Sequence, residues 1–181
     1  MKIRIEEAVW RELTEHLLAR DDVETAAVLL GEVVGADGSV LAVRGWSPVP
    51  DDGYLIRRVD QIRIDPVAIN RLVRPARDRG LAVFTIHSHP MALDAWFSHA
   101  DDLGDARLLP SFARQVPGVP HGSLVLARSR ALVARALVGG EVVPATVSIV
   151  GRTIATATAP PAAPADDRFA RQVLALGDDG Q

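Results

Sequence analysis

Val9, Trp10, Leu13, Leu17 and Leu18 recur at steps of one, three and four, a spacing that puts them on one face of a helix. An amphipathic helix is expected over 5–18, ended by Asp21 and Asp22. Residues 26–34 are too continuously apolar for a surface element, and the turn sequence Gly35-Ala36-Asp37-Gly38 follows them, so a hairpin returning along 40–44 is expected. The Pro- and Asp-rich stretch 46–53 reads as a loop and 54–64 as one strand-like run. Asp65-Pro66 opens a second helix, the first residue as a cap and the second at the first helical position. Its buried face would be Ile69, Leu72, Val73 and Ala76, with Gly80 past its end. A short apolar strand follows over 81–86, then a helix beginning at Ser98 and stopping at Pro110, then strands over 123–127, 132–138 and 142–150. Strands outnumber helices, and the last three run on without a helix between them. The pattern predicts an α/β (α+β) fold with a mixed central β-sheet flanked by helices.

Composition narrows the chemistry. The 181 residues suffice for one ordinary domain, and 48% hydrophobic with 24% charged residues excludes a chain disordered throughout. There is no cysteine, which removes thiol nucleophiles, disulfides and thiolate metal sites, so any metal must be held by His, Asp or Glu. Lys2 is the only lysine beside 19 arginines, and the net charge of −3 gives no global attraction to nucleic acid or to an anionic membrane. The arginine groups at Arg57-Arg58, Arg71/Arg74/Arg77/Arg79 and Arg128/Arg130 read as solvated faces. With neither a signal-peptide pattern nor a membrane-length apolar run, a cytoplasmic location is expected.

The densest chemistry lies in TIHSHPMALDAWFSHADD. His87 and His89 stand two apart at the end of an apolar strand, and a period of two sends both imidazoles to one face. Pro90 favours an extended His89. Ser98 and Asp101 form the S-x-x-D that opens a helix, so Asp101 projects from its first turn as an oxygen ligand. Two histidines and one aspartate leave a tetrahedral ion one open position, as in catalytic and not structural zinc sites. Glu24, just ahead of the apolar strand, is the candidate base. His16, His99 and His121 read as bystanders, the last in a Pro-Gly loop.

Glu24 followed by Leu29, Leu30 and Gly31, then His87-Ser88-His89-Pro90 and Ser98-x-x-Asp101, resembles the JAMM signature of the MPN-plus (Mov34/PAD-1, prokaryotic JAB) zinc metalloproteases over roughly 1–150. The resemblance implies a cytidine-deaminase-like MPN fold, zinc ligation by His87, His89 and Asp101, and a Glu24 that takes a proton from the zinc-bound water. Ser98 would help stabilise the oxyanion. The implied activity is hydrolysis after the C-terminal glycine of a ubiquitin-like or sulfur-carrier protein ending in Gly-Gly, bound by β-strand addition. A catalytically silent MPN scaffold that binds a ubiquitin-like partner is the alternative. A RadC-type DNA-associated domain fits less well, since no helix-hairpin-helix candidate and no basic surplus are present.

The spacer 90–97 is one residue longer than the family pattern, which leaves Asp101 or Asp102 as the aspartate, with Asp101 preferred. Trp96 and Phe97 in that spacer either pack under the helix or line a groove for the substrate tail. After a catalytic domain over 1–151, residues 152–166 form an Ala/Pro/Thr-rich linker. Residues 167–181, with Arg168-Phe169-Ala170-Arg171-Gln172 and then Gly177 and Gly180-Gln181, resemble the truncated opening of a ThiF/MoeB-like (ubiquitin-activating-enzyme-like) adenylyltransferase.

Overall fold

The computed structural model describes residues 1–35 and 38–157. A strand, β1 (Lys2–Glu6), precedes the first helix, α1 (Glu7–Leu17). A hairpin of β2 (Ala26–Val34) and β3 (Val40–Pro48) follows, then two short strands, β4 (Tyr54–Arg57) and β5 (Ile62–Ile64). The helix α2 (Pro66–Arg79) leads into β6 (Ala82–His89), and α3 (His99–Gln115) into β7 (His121–Ala127). The chain continues through β8 (Leu132–Val138), β9 (Glu141–Pro144), β10 (Thr146–Val150) and β11 (Ile154–Thr156).

Among the described residues nine strands form one mixed sheet in the order β11-β10-β1-β3-β2-β6-β7-β8-β9, while β4 and β5 pair separately. Only Ala145 joins β9, at one edge, to β10, near the other, and its N–H donates to the Ala134 carbonyl of β8. The sheet must therefore curl until its two ends meet. Inside the curl α1 brings Leu13 and Leu17 against Ile3, Ile5, Leu29, Phe84 and Ile86. On the other face α2 and α3 bring Ile69, Val73, Leu109 and Phe112 against Val28 and Val83. Along β6 the alternation is thus decided: Phe84 and Ile86 face α1, and the odd-numbered positions face α2 and α3.

Several sequence expectations are corrected. Residues 2–6 alternate with period two, and because β1 gains parallel partners on both sides, β3 and β10, strand wins there over helix. The return strand runs past residue 44 to Pro48, with a register shift opposite Leu30/Gly31. The 54–64 run folds back on itself, Arg58 N–H donating to the Gln61 carbonyl. Pro110 does not stop α3: it is exposed, while Leu109 and Phe112 on the inner face keep the helix on the sheet to Gln115. The 142–150 run is divided at Ala145 between opposite edges of the sheet. Ile154–Thr156, inside the expected linker, adds an edge strand to β10. The expected linker from 158 onward and the 167–181 segment lie outside the described residues. Among the described residues no helix is long and apolar enough to cross a membrane.

Candidate metal centre

β6 is buried along its whole length between antiparallel β2 and parallel β7. Its last turn of pleat presents His87 and His89 on the α2/α3 side, their Nε2 atoms 3.2 Å apart. Ser88, between them, points the other way and is fully buried. Its Oγ accepts from Thr25 N–H at 3.0 Å and its N–H donates to the Thr25 carbonyl at 2.9 Å, which ties the histidine strand to the entry of β2.

α3 delivers the oxygen donor. Ser98 caps it: Ser98 Oγ accepts from Asp101 N–H at 3.3 Å and Asp101 Oδ2 accepts from Ser98 N–H at 2.6 Å, a reciprocal capping box. The box fixes the Asp101 side chain so that Oδ1 lies 3.2 Å from His87 Nε2 and Oδ2 3.7 Å from His89 Nε2. Asp102 is turned outward and pairs with Arg135, so the aspartate at the centre is Asp101. The loop 90–97 opens with a turn at Pro90–Met91, with Met91 and Leu93 exposed and the Ala92 carbonyl accepting from Arg128 N–H.

Glu24 is 3% exposed, just before β2, and its Oε1 is 3.8 Å from His89 Nε2. Four of the residues singled out by sequence, Glu24, His87, His89 and Asp101, therefore converge, with Ser98 one helical turn before Asp101. The aromatic pair divides. Trp96 sets its ring in an edge contact with His89, centroids 5.3 Å apart, whereas Phe97 lies under the Arg135 guanidinium at 3.8 Å.

The electrostatics follow from packing. Burial pushes the His87 imidazole down, but the hydrogen bond and charge of Asp101, with Glu24 and Asp105 farther off, outweigh it and hold the group above its ordinary value. Burial alone would raise Asp101, yet His87 and the two bonds from Ser98 hold its carboxyl well below the usual range. Three donors clustered in this way suit a divalent ion. Donor atoms about 2.0–2.1 Å from a tetrahedral metal stand about 3.3 Å apart, and both His87 distances match that edge. His87, His89 and Asp101 could hold such an ion, since their donor atoms all lie within 4.8 Å of one another.

Three supporting residues carried no readable signal. Arg135 on β8 reaches past Ser123 to Asp102 and Asp105, binding the start of α3 to the sheet. Arg57, grouped by sequence with solvated arginines, is mostly buried against the Glu24 backbone. His121 is not a loop residue: it is fully buried at the start of β7, where Nδ1 accepts from Val83 N–H and Nε2 donates to the Val116 carbonyl. His16 is half-buried, its ring against Trp46.

Comparison with known proteins agrees with this architecture. No curated protein matches the sequence. The solution structure of protein DSY2949 from Desulfitobacterium hafniense is similar in fold, with a TM-score of 0.53 at 17% identity over 83% of this chain and 95% of that one. Residues 6–143 match the family of prokaryotic homologs of the JAB domain, and the chain belongs to that family.

Proposed function

We propose that the domain is a zinc-dependent metallo-(iso)peptidase that hydrolyses the bond after the C-terminal glycine of a ubiquitin-like or sulfur-carrier protein. The observation that carries this reading is the convergence of Glu24 on the His87, His89 and Asp101 donors, a base beside a three-ligand set. His87, His89 and Asp101 would hold zinc, which supplies Lewis-acid polarisation of the scissile carbonyl and activation of water. Glu24 accepts a proton at Oε1 during attack and returns it to the departing amine. Its burial keeps bulk water away from that carboxylate. Ser98 helps stabilise the negative charge that develops on the carbonyl oxygen. A Gly-Gly tail suits the site because residues without side chains can approach a buried donor cluster closely, and the tail is held by strand addition. Trp96, edge-on to His89, lines the path of that tail. Phe97, under the Arg135 guanidinium, flanks the same path.

The test is incubation of the zinc-loaded protein with a sulfur-carrier protein fused through its Gly-Gly terminus to a reporter, followed by intact mass. Cleavage lost on chelation and reduced about 10²- to 10⁴-fold in Glu24→Gln, with zinc retained, supports the reading. Full cleavage by Glu24→Gln overturns the assigned base, and metal-free purified protein that binds the carrier uncut supports a silent scaffold instead.

We also read the catalytic unit as running through β11 and 167–181 as the opening of a ThiF/MoeB-like adenylyltransferase, joining a carrier-specific protease to an activating enzyme in one parent chain. A glycine-rich nucleotide-binding segment encoded shortly after Gln181 supports that arrangement, and an unrelated sequence there overturns it.

A further inference from the structure

Glu24 belongs to no strand or helix: β2 begins only at Ala26. Its backbone is nevertheless gripped from two sides. On the β6 side Ser88 hydrogen-bonds Thr25 through both its N–H and its Oγ. On the other side stands the β4–β5 hairpin, where the Arg58 carbonyl accepts from Glu24 N–H at 2.8 Å. Within that hairpin the Arg57 guanidinium donates three ways: Nε to the Glu24 carbonyl at 3.0 Å, Nη2 to Thr25 Oγ1 at 2.9 Å, and Nη1 to Asp51 at 2.6 Å. Its remaining face lies on the Tyr54 ring, 4.5 Å from the centroid, and the Tyr54 hydroxyl accepts from Ala26 N–H. The Arg57 side chain is 16% exposed, whereas its acidic partner Asp51 is 92% exposed.

An exposed ion pair to Asp51 would contribute little stability and gives no reason to bury an arginine. A planar fork that can meet two acceptors on consecutive residues at once gives such a reason, because it fixes the direction of the peptide from which the Glu24 side chain departs. We propose that Arg57 is a positioning residue for Glu24, holding the Glu24–Thr25 peptide so that the carboxylate stays aimed at the His87/His89/Asp101 cluster. This role rests on the metallopeptidase reading, in which Glu24 moves the proton. Arg57 touches neither the donor cluster nor the reacting atoms, so its loss leaves the metal in place and acts on the base alone.

The experiment compares wild type, Arg57→Ala, Arg57→Lys, Glu24→Gln and the Arg57→Ala/Glu24→Gln double variant in zinc content, in steady-state cleavage of the carrier–reporter fusion, and in amide exchange. Arg57→Ala should keep its zinc and its KM while kcat falls about 10- to 100-fold, the scale expected for a displaced reacting group. Arg57→Lys, which keeps the charge but not the fork, should recover part of that loss. In the Glu24→Gln background Arg57→Ala should cost nothing further, since a group acting through Glu24 has nothing left to position. Amides of residues 24–26 should exchange about tenfold faster in Arg57→Ala while those of 87–89 are unchanged, the opening expected when a charge-assisted hydrogen bond is lost. An equal loss in both backgrounds, or unchanged exchange at 24–26, overturns the proposal. Should Arg57→Ala fail to fold, Arg57→Lys alone and in the Glu24→Gln background carries the same comparison. Wild-type cleavage by Glu24→Gln would instead overturn the base assigned to Glu24, and the exchange result would still decide whether Arg57 holds this peptide.

Discussion

The end of β6 and the start of β7 each bury histidine in an apolar strand, and they use it in opposite ways. At His87 and His89 the Nε2 atoms converge on each other and on the Asp101 carboxylate. At His121 both ring nitrogens are spent on the backbone, Nδ1 on Val83 N–H and Nε2 on the Val116 carbonyl. The acidic neighbours hold His87 above its ordinary pKa, while burial, only partly offset by the bond to the Val116 carbonyl, holds His121 below it. Burial alone therefore says nothing about role. What distinguishes a ligand from a structural histidine is whether its nitrogens face other donors or the main chain.

Substitution should break the comparison most sharply at His89. His89→Ala is expected to take metal from about one ion per chain to none and to abolish cleavage, read by elemental analysis and intact mass. His121→Leu should do the reverse: metal content unchanged, but stability lower by about 1–3 kcal/mol in a denaturant titration, because a buried N–H and a buried carbonyl lose their partners.

A smaller effect appears with pH. An unfolded histidine takes a proton near 6.5, which folded His121 resists, so stability from the neutral ring is complete above that pH and is lost as pH falls below it. Thermal melts should lose this acid-side slope in His121→Leu. For His87 in the metal-free domain the sign is opposite: its contribution is present below 6.5 and fades as pH rises through its raised value. Zinc requires the neutral ring, so metal affinity should rise over the same window.

Ser98→Ala should have the smallest effect on stability and metal binding. Loss of the cap costs about 1 kcal/mol. Metal affinity, measured by chelator competition, should fall about tenfold as Asp101 loosens, since groups that orient a ligand tune affinity on that scale.

Much of the centre was legible because its pieces are local. His-x-His on an apolar run needs only the period of a strand, and S-x-x-D needs only the geometry of a first helical turn. The sequence only preferred Asp101 over Asp102; the capping box that holds Asp101 and the Arg135 pair that turns Asp102 outward decide between them. His121 was misread because Pro117-Gly118 and Pro120 before it look like a loop, while its partners Val83 and Val116 are set by β6 and α3. Arg57 was misread because an arginine pair at the end of a short polar run carries no sign of the backbone it will meet. Pro110 misled for a related reason, its effect on α3 being outweighed by Leu109 and Phe112 packing on the sheet.

The sequence by itself determined the donor types, their spacing along each element, the caps of α2 and α3, and the absence of any thiol alternative. Tertiary structure alone decided that the strand carrying the histidines lies between β2 and β7, that α3 lies on the face to which those histidines point, and that Arg57 reaches the Glu24 peptide. The division follows from range: periodicity and capping act within a turn or a pleat, whereas sheet order, curl and the partners of buried polar groups depend on residues far apart in the chain.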